Sequence, residues 1–393
     1  MISRYLPSDS KMGVGFQVHA LANAMVGRGH EVTVFSQSSA VGDAHYTLHR
    51  VVMRPPLRSL RASWHLRWVD WSHFDVLHAH GDDWFLWSKK VPPHVRTIHG
   101  SCLAEAANIT GIKSKLYMLF LACLETLSCF VADKTVAVSS NTCRSYPWIK
   151  TVIPNGVDVA AYAAAQPPGS SRPLVSRISQ NASRQASPAG QNDSESLPDD
   201  AKCQRPYPEC REATCRGKAA TPAILFVGTY HNRKRGKLLM DVFARSILPR
   251  LPEAQLWMVC SDAPAAPGVT VFGRVSQEKL ITLYQQAWAF CLPSTYEGFG
   301  IPYIEAMAAG TAVVASPNVG AVEVTRNGQD GLIAADDKLG DTLLNVLMDE
   351  NLRQKLEAAG LERVKDFDLN SVCQRYENIY AAVAAKRDRA AKA

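Results

Sequence analysis

Ala287-Trp288-Ala289-Phe290-Cys291-Leu292-Pro293-Ser294-Thr295-Tyr296-Glu297-Gly298-Phe299-Gly300-Ile301-Pro302-Tyr303-Ile304-Glu305 runs from an unbroken apolar hexapeptide, through a loop, into apolar residues at helical spacing. A strand apolar on both faces belongs inside a parallel sheet, and a helix directly after it supplies the crossover such a sheet needs. The stretch therefore predicts a doubly wound α/β domain. Open parallel sheets bind ligands beyond the carboxyl ends of their strands, where helix N-termini present free amides and a positive dipole. Gly298 and Gly300 let the main chain approach a ligand closely. Glu297 lies in the loop and Glu305 about one turn inside the helix, so both carboxylates can face one cleft. Carboxylates accept strong hydrogen bonds from hydroxyl groups, which is a binding task; a hydrolytic pair has to flank a scissile bond. Taken alone, the pair also fits a helix-capping Glu and a surface Glu.

Outward from this stretch the same alternation recurs. Ala223 to Gly228, Gln255 to Val259, Val269 to Phe272 and Thr311 to Ala315 read as buried strands of one unit. Glu31 to Phe35, Val76 to Ala79, Val95 to Ile98 and Lys134 to Val138 read as strands of another, with a helix over Phe16 to Arg28 stopped by Gly29. A chain of 393 residues exceeds what one core usually serves. The expectation is two Rossmann-like domains facing a central cleft, residues 1–163 and 220–370. Residues 164–219, rich in Ser, Pro and Gln, predict a disordered insertion or linker, and residues 371–393 a C-terminal helix that crosses back to the first domain and ends in a frayed tail.

Composition narrows the partners. The net charge of +7 suits anionic ligands and is too mild to argue for nucleic acid. Ten cysteines, mostly inside apolar runs, read as reduced thiols of a cytoplasmic protein, and Met1 leads into a loop rather than a secretory signal. Cys203, Cys210 and Cys215 lack the paired spacing of a zinc site, so no metal is expected. The apolar run Leu116 to Ala132 contains Glu125 and falls short of the roughly 20 residues of a spanning helix, which predicts a buried core helix. Arg54 to Trp68 interleaves Arg with Trp and Leu, and two readings stand: a solvated helix covering the first domain, or a peripheral contact with an anionic membrane on its cytoplasmic face. Asp82-Asp83 has no neighbouring metal-site pattern, and neither G-x-x-x-x-G-K-[ST] nor G-x-S-x-G occurs.

Two further segments sit where strands end. Gly228-Thr229-Tyr230-His231-Asn232-Arg233-Lys234-Arg235-Gly236 places three cations at the same sheet edge as Glu297. His99 follows the strand ending at Ile98, and alternation buries one of His78 and His80.

The string from Glu297 to Glu305 resembles the E-x7-E signature of retaining glycosyltransferases with the GT-B fold, in particular glycosyltransferase family 4 (group 1). Ser3 to Pro7, Gly13 to Ala22, Gly27 to Phe35, Val138 to Ser140 and Val152 to Asp158 are similar to the family in order and spacing. The resemblance implies a hexosyl-type transferase that uses a nucleotide diphosphate sugar, needs no metal or other cofactor, and acts on a saccharide, lipid-linked or small-molecule hydroxyl in polysaccharide or glycolipid assembly. It implies that Glu297 contacts the donor sugar, that Gly298, Phe299, Gly300 and Ile301 line the sugar or diphosphate, and that Glu305 holds the ribose. Gly13 and Gly15 fall near the diphosphate, and His99 near the reacting carbon. The family's arginine directly after the strand glycine is replaced here by Thr229. Arg233 is then the substitute for that arginine, and Lys234 or Arg235 the equivalent of the family's lysine. Alternatives are a nucleotide-sugar epimerase of similar fold, which needs acid and base groups on both faces of the sugar, and a catalytically impaired homologue. The latter draws on Thr229 and on a start so near the first strand that part of it is expected to be missing.

Overall fold

The computed structural model describes residues 1–8, 13–54, 57–87, 91–108, 111–164 and 218–392. Residues 165–217, with Cys203, Cys210 and Cys215 and nearly all of the expected linker, lie outside them.

Short parallel strands separated by helices build two lobes. The first holds β1 (Thr33–Ser36), β2 (Thr47–Arg50), β3 (Leu77–Ala79), β4 (His94–Ile98) and β5 (Lys134–Ala137). Ile2 bridges in parallel to both Phe35 and Ala79, and so joins the β1-β2 and β3-β4-β5 ladders. Its amide donates to the His78 carbonyl at 2.8 Å and its carbonyl accepts from the His80 amide at 2.9 Å. Residues 1–3 thus occupy the central place in this sheet. Val152 extends the other edge by a bridge to Ala137.

The second lobe holds β6 (Ala223–Val227), β7 (Gln255–Val259), β8 (Val269–Val271), β9 (Ala289–Leu292), β10 (Ala312–Ala315) and β11 (Leu332–Ile333), ordered β8-β7-β6-β9-β10-β11 and all parallel. The chain steps outward from β6 to β8 and returns to the opposite side at β9. The loops after β6 and β9 therefore diverge over a crevice, the switch point where open α/β sheets hold ligands. In the first lobe the same reversal falls between Ile2 and β3, with His80 just past the strand end. Ile224, Leu225, Phe226, Phe290, Leu292 and Val314 are fully buried in one core. This is the GT-B architecture.

The helix Leu369–Lys392 packs against the helix Gly13–Gly27 and β4 of the first lobe. Val372, Cys373 and Tyr376 bury against Leu21, Met25 and Val95. Glu377 receives two hydrogen bonds from Arg28, at 2.8 and 2.7 Å.

One expectation is overturned. The helix Ile112–Val131 is not buried: among its apolar residues Ile112 is 80% exposed, Leu116 61% and Phe130 69%, while Ala122, Ser128 and Cys129 are buried. Apolar content predicted a core position, but the helix lies at the rim of the lobe, where one face meets protein and the rest is uncovered among the described residues. The Arg54–Trp68 segment forms the helix Arg58–Leu66, which buries Ser59, Ala62, Ser63 and Leu66 and leaves Trp64 half exposed.

Candidate functional site

The loop after β9 is set by its glycines. Gly300 has φ +100°, a left-handed backbone that starts the helix Ile301–Ala308, and Pro302 fits the first turn, where no amide is needed. A β-carbon on Gly298 would stand 3.3 Å from the His99 carbonyl oxygen, and one on Gly13 would stand 2.9 Å from Ile301 Cδ1. Gly13 and Gly15 open the helix Gly13–Gly27 rather than forming a loop before it. The two lobes thus meet across the cleft at the expected glycines. Behind the loop a β-carbon on Gly320 would come within 2.6 Å of the Phe299 carbonyl and 2.7 Å of the Glu297 carbonyl, so the wall there has to be main chain.

The loop after β6 tightens into a 3-10 turn over Asn232–Lys234, with Asn232 at φ +61° and Arg235 at φ +54°. That curl sends consecutive cations in different directions. Lys234 Nζ lies 2.7 Å from Glu297 Oε1, and Arg233 NH1 lies 3.2 Å from Glu297 Oε2 and donates to the Tyr296 carbonyl at 2.6 Å. Arg235, expected beside them, is not there. Its guanidinium holds the Asp336 carboxylate at 2.7 and 2.9 Å, Ser316 Oγ at 2.9 Å and the Pro293 carbonyl at 2.5 Å, which pins the loop to the ends of β9 and β10. Burial lowers the Lys234 ammonium from its ordinary range, and Glu297 opposes that shift.

Glu305 reaches the same region from inside its helix. Tyr284 donates to its Oε2 at 2.9 Å, and burial pushes its carboxyl up to about 7 against the pull of Tyr284 and Lys234. From the first lobe, Glu105 stands within electrostatic reach of Arg233 and Glu297, its carboxyl raised by burial.

His99 and His80 lie one residue beyond the ends of the adjacent strands β4 and β3, so strand pairing brings them together: His80 Nδ1 and His99 Nε2 are 2.8 Å apart. Beneath them His78 is buried, with Nδ1 2.6 Å from the Tyr380 hydroxyl and Nε2 2.8 Å from Thr97 Oγ1, which is 2.9 Å from the Tyr376 hydroxyl. The C-terminal helix is in this way tied to the histidine layer under the cleft. Asp83 is fully buried between Arg96 and His94, its Oδ2 3.1 Å from His94 Nε2.

The site also uses residues no sequence pattern singled out. Asn318 caps the helix Val319–Val324 and donates to the Ser294 carbonyl at 3.3 Å; a polar residue between a strand and a helix is an N-cap signal that was readable. Glu323 spans the lobes, accepting from the Ser140 amide at 2.7 Å. Tyr284, Glu105 and Glu323 carry no local signal, because their partners are remote in sequence.

The histidine layer sets a response to acid. Burial holds His94 and His99 down at about 4, and His78 and His80 well below their ordinary range. The unfolded chain takes up these protons below about pH 6.5 and the folded chain does not, so stability falls as pH drops from there toward 4. Glu305 at about 7, Asp82 at about 6 and Glu105, also raised by burial, work in the opposite direction, but they are three carboxyls against four histidines. The melting temperature is expected to be at least about 5 °C lower at pH 5 than at pH 7. An equal or higher value at pH 5 would contradict the neutral histidine layer.

Comparison with known proteins follows the same division of the chain. A family model described as Glycosyl transferases group 1 matches residues 221–349, and one described as Glycosyltransferase Family 4 matches residues 12–161. A phosphatidyl-myo-inositol mannosyltransferase of Mycobacterium tuberculosis is 32% identical over 179 residues, which are 41% of this chain and 47% of that protein. O-antigen chain mannosyltransferase B of Escherichia coli is 30% identical over 174 residues, 40% of this chain and 45% of that one. The chain spans about half the length of the curated relatives it matches. Among solved structures, WaaG, a glycosyltransferase involved in lipopolysaccharide biosynthesis, superposes with TM-score 0.69 at 16% identity over 97% of this chain and 99% of its own. Anabaena Alr3699/HepE in complex with UDP and glucose gives TM-score 0.65 at 14% identity over 97% and 98%. These likenesses show the fold.

Proposed function

The chain belongs to the group 1, family 4 glycosyltransferases, and from that premise we propose that it moves a hexosyl unit from a nucleoside diphosphate sugar to a hydroxyl acceptor, with retention of anomeric configuration, in glycolipid or polysaccharide assembly. The observation that carries this reading is the Glu297–Lys234 pair, 2.7 Å apart at the switch point of the second lobe, next to Gly298, which abuts the His99 carbonyl. The acceptor oxygen forms a bond to the anomeric carbon while the bond from that carbon to the diphosphate breaks. The acceptor proton passes to the departing phosphate.

In this reading Lys234 and Arg233 offset the charge that grows on the diphosphate, so the reaction calls for no metal or other cofactor. Donor oxygens take over part of Lys234's contact with Glu297, which frees that carboxylate for the sugar hydroxyls. Glu305 accepts from the ribose, and contact between the lobes excludes water that would hydrolyse the donor. The mannosyl transfer named for two of the relatives and the UDP and glucose named for a structural neighbour support a hexosyl donor, and the same names support a lipid-linked or saccharide acceptor. The test is a thermal-shift panel of nucleotide sugars, followed by transfer assays with the best stabiliser and NMR of the product. Stabilisation by one nucleotide sugar and a retained anomeric configuration are expected. Stabilisation by none, or an inverted product, would overturn the proposal.

A further inference from the structure

Strand pairing sets His80 and His99 side by side just past the ends of β3 and β4, with His80 Nδ1 2.8 Å from His99 Nε2. Burial and the nearby Arg96 guanidinium hold both rings neutral at pH 7. Two neutral imidazoles that meet nitrogen to nitrogen share a single proton, so one ring donates and the other accepts. The direction of that bond decides what His99 can do. If His99 accepts at Nε2, its Nδ1 carries the remaining proton and is a hydrogen-bond donor. If it donates from Nε2, its Nδ1 is bare and is a base.

The surroundings choose between the two. His80 Nε2 is buried and has no hydrogen-bond partner among the described residues. Were His80 the accepting ring, that nitrogen would carry an orphaned N–H, which folded proteins avoid more strictly than an unused acceptor. His99 has the opposite setting: the buried Asn155 side chain stands within hydrogen-bonding reach of its ring, and the carboxamide oxygen can accept from an N–H there. We propose that His80 is a positioning residue that donates from Nδ1 to His99 Nε2 and so holds His99 in its Nδ1–H form, a hydrogen-bond donor and not a base. The inference deepens the transfer reading. The His99 main chain borders Gly298 in the loop that carries Glu297, and a ring that only donates leaves the acceptor's proton to the departing phosphate.

His80 is itself held in place. His78 stacks on it with ring centroids 4.1 Å apart, and both His78 nitrogens are engaged, Nδ1 with the Tyr380 hydroxyl at 2.6 Å and Nε2 with Thr97 Oγ1 at 2.8 Å. Tyr376 closes the frame, its ring 4.8 Å from that of His78 and its hydroxyl 2.9 Å from Thr97 Oγ1. The C-terminal helix thus fixes the plane of His78, His78 supports that of His80, and His80 sets the proton on His99.

Long-range proton–nitrogen correlation spectra of the full chain with isotope-labelled histidine, at pH 7 and without nucleotide sugar or acceptor, read the tautomer directly. His99→Asn identifies the His99 signals. His99 is expected with a protonated Nδ1 and a bare Nε2, and a protonated Nε2 overturns the proposal. In His80→Leu the His99 signals should move towards the Nε2–H form that free imidazole prefers. In His80→Asn, whose side-chain amide can donate from the place of Nδ1, they should return to the Nδ1–H form. A Leu variant that keeps His99 in the Nδ1–H form overturns the role of His80. Should the Leu variant fail to fold, the parent and Asn spectra still decide the question. In transfer assays His80→Leu should lower kcat ~10-fold, about what one hydrogen bond contributes, at a nearly unchanged KM, and His80→Asn should recover most of it. Equal losses in both variants would assign His80 to packing alone and overturn the proposal. The kinetics rest on the transfer reading and the spectra do not, so a failure of one is told apart from a failure of the other.

Discussion

Glu297→Ala is expected to lower kcat/KM for glycosyl transfer by at least ~100-fold while the protein remains folded. Glu297 is 6% exposed, held by Lys234 and Arg233 at the end of β9, so its carboxylate is already oriented before any ligand arrives. A site built to accept from hydroxyl groups loses strongly when its acceptor is removed, because the substrate's hydroxyls then go unpaired away from water. Loss of a group acting in the transition state reaches ~100-fold or more. Glu297→Gln keeps the shape and removes the charge, and it should fall nearly as far. Folding survives because the loop is held independently by Gly300, by Asn318 on the Ser294 carbonyl and by Arg235 on Pro293. Activity within a factor of two of the parent in either variant would falsify the assignment of Glu297 to the donor sugar.

Lys234→Ala and Arg235→Ala are expected to differ in kind, although the residues are adjacent. Lys234 faces Glu297 and lies within electrostatic reach of Glu305, in the position to meet a diphosphate. Its removal should weaken nucleotide binding in calorimetry by ~10–100-fold, about what a charge-assisted contact in a shielded site contributes. Arg235 instead fastens Asp336, Ser316 and the Pro293 carbonyl. Its removal should lower the melting temperature by several degrees and leave affinity within a few-fold. Should Arg235→Ala lose affinity as heavily as Lys234→Ala, at an unchanged melting temperature, the division of roles between them is wrong.

Much of this was legible in the sequence, and for a local reason. An apolar hexapeptide followed by a glycine-bearing loop and a helical period specifies a strand–loop–helix unit through short-range sterics and side-chain burial, and repetition of that unit specifies a parallel sheet. Glu297, Gly298, Gly300 and His99 stand at strand ends or helix starts, with Glu305 one turn further into the helix, where that grammar expects functional groups. The basic run was located but not resolved. Whether Lys234 or Arg235 points at Glu297 depends on the positive φ values at Asn232 and Arg235, which a run of Arg and Lys does not announce.

The sequence by itself determined the two sheets, their crevice edges and the place of Glu297 and Glu305 along them, since each follows from periodicity within some twenty residues. The tertiary structure alone decided which cation meets Glu297, that His80 and His99 touch, that Tyr376 and Tyr380 of the last helix lie under them, and that much of Ile112–Val131 is exposed. These are relations between elements brought together from far apart in the chain. The same Leu and Phe are core or surface according to what packs on them, and a period of apolar residues fixes that a helix has an apolar face but not what covers it.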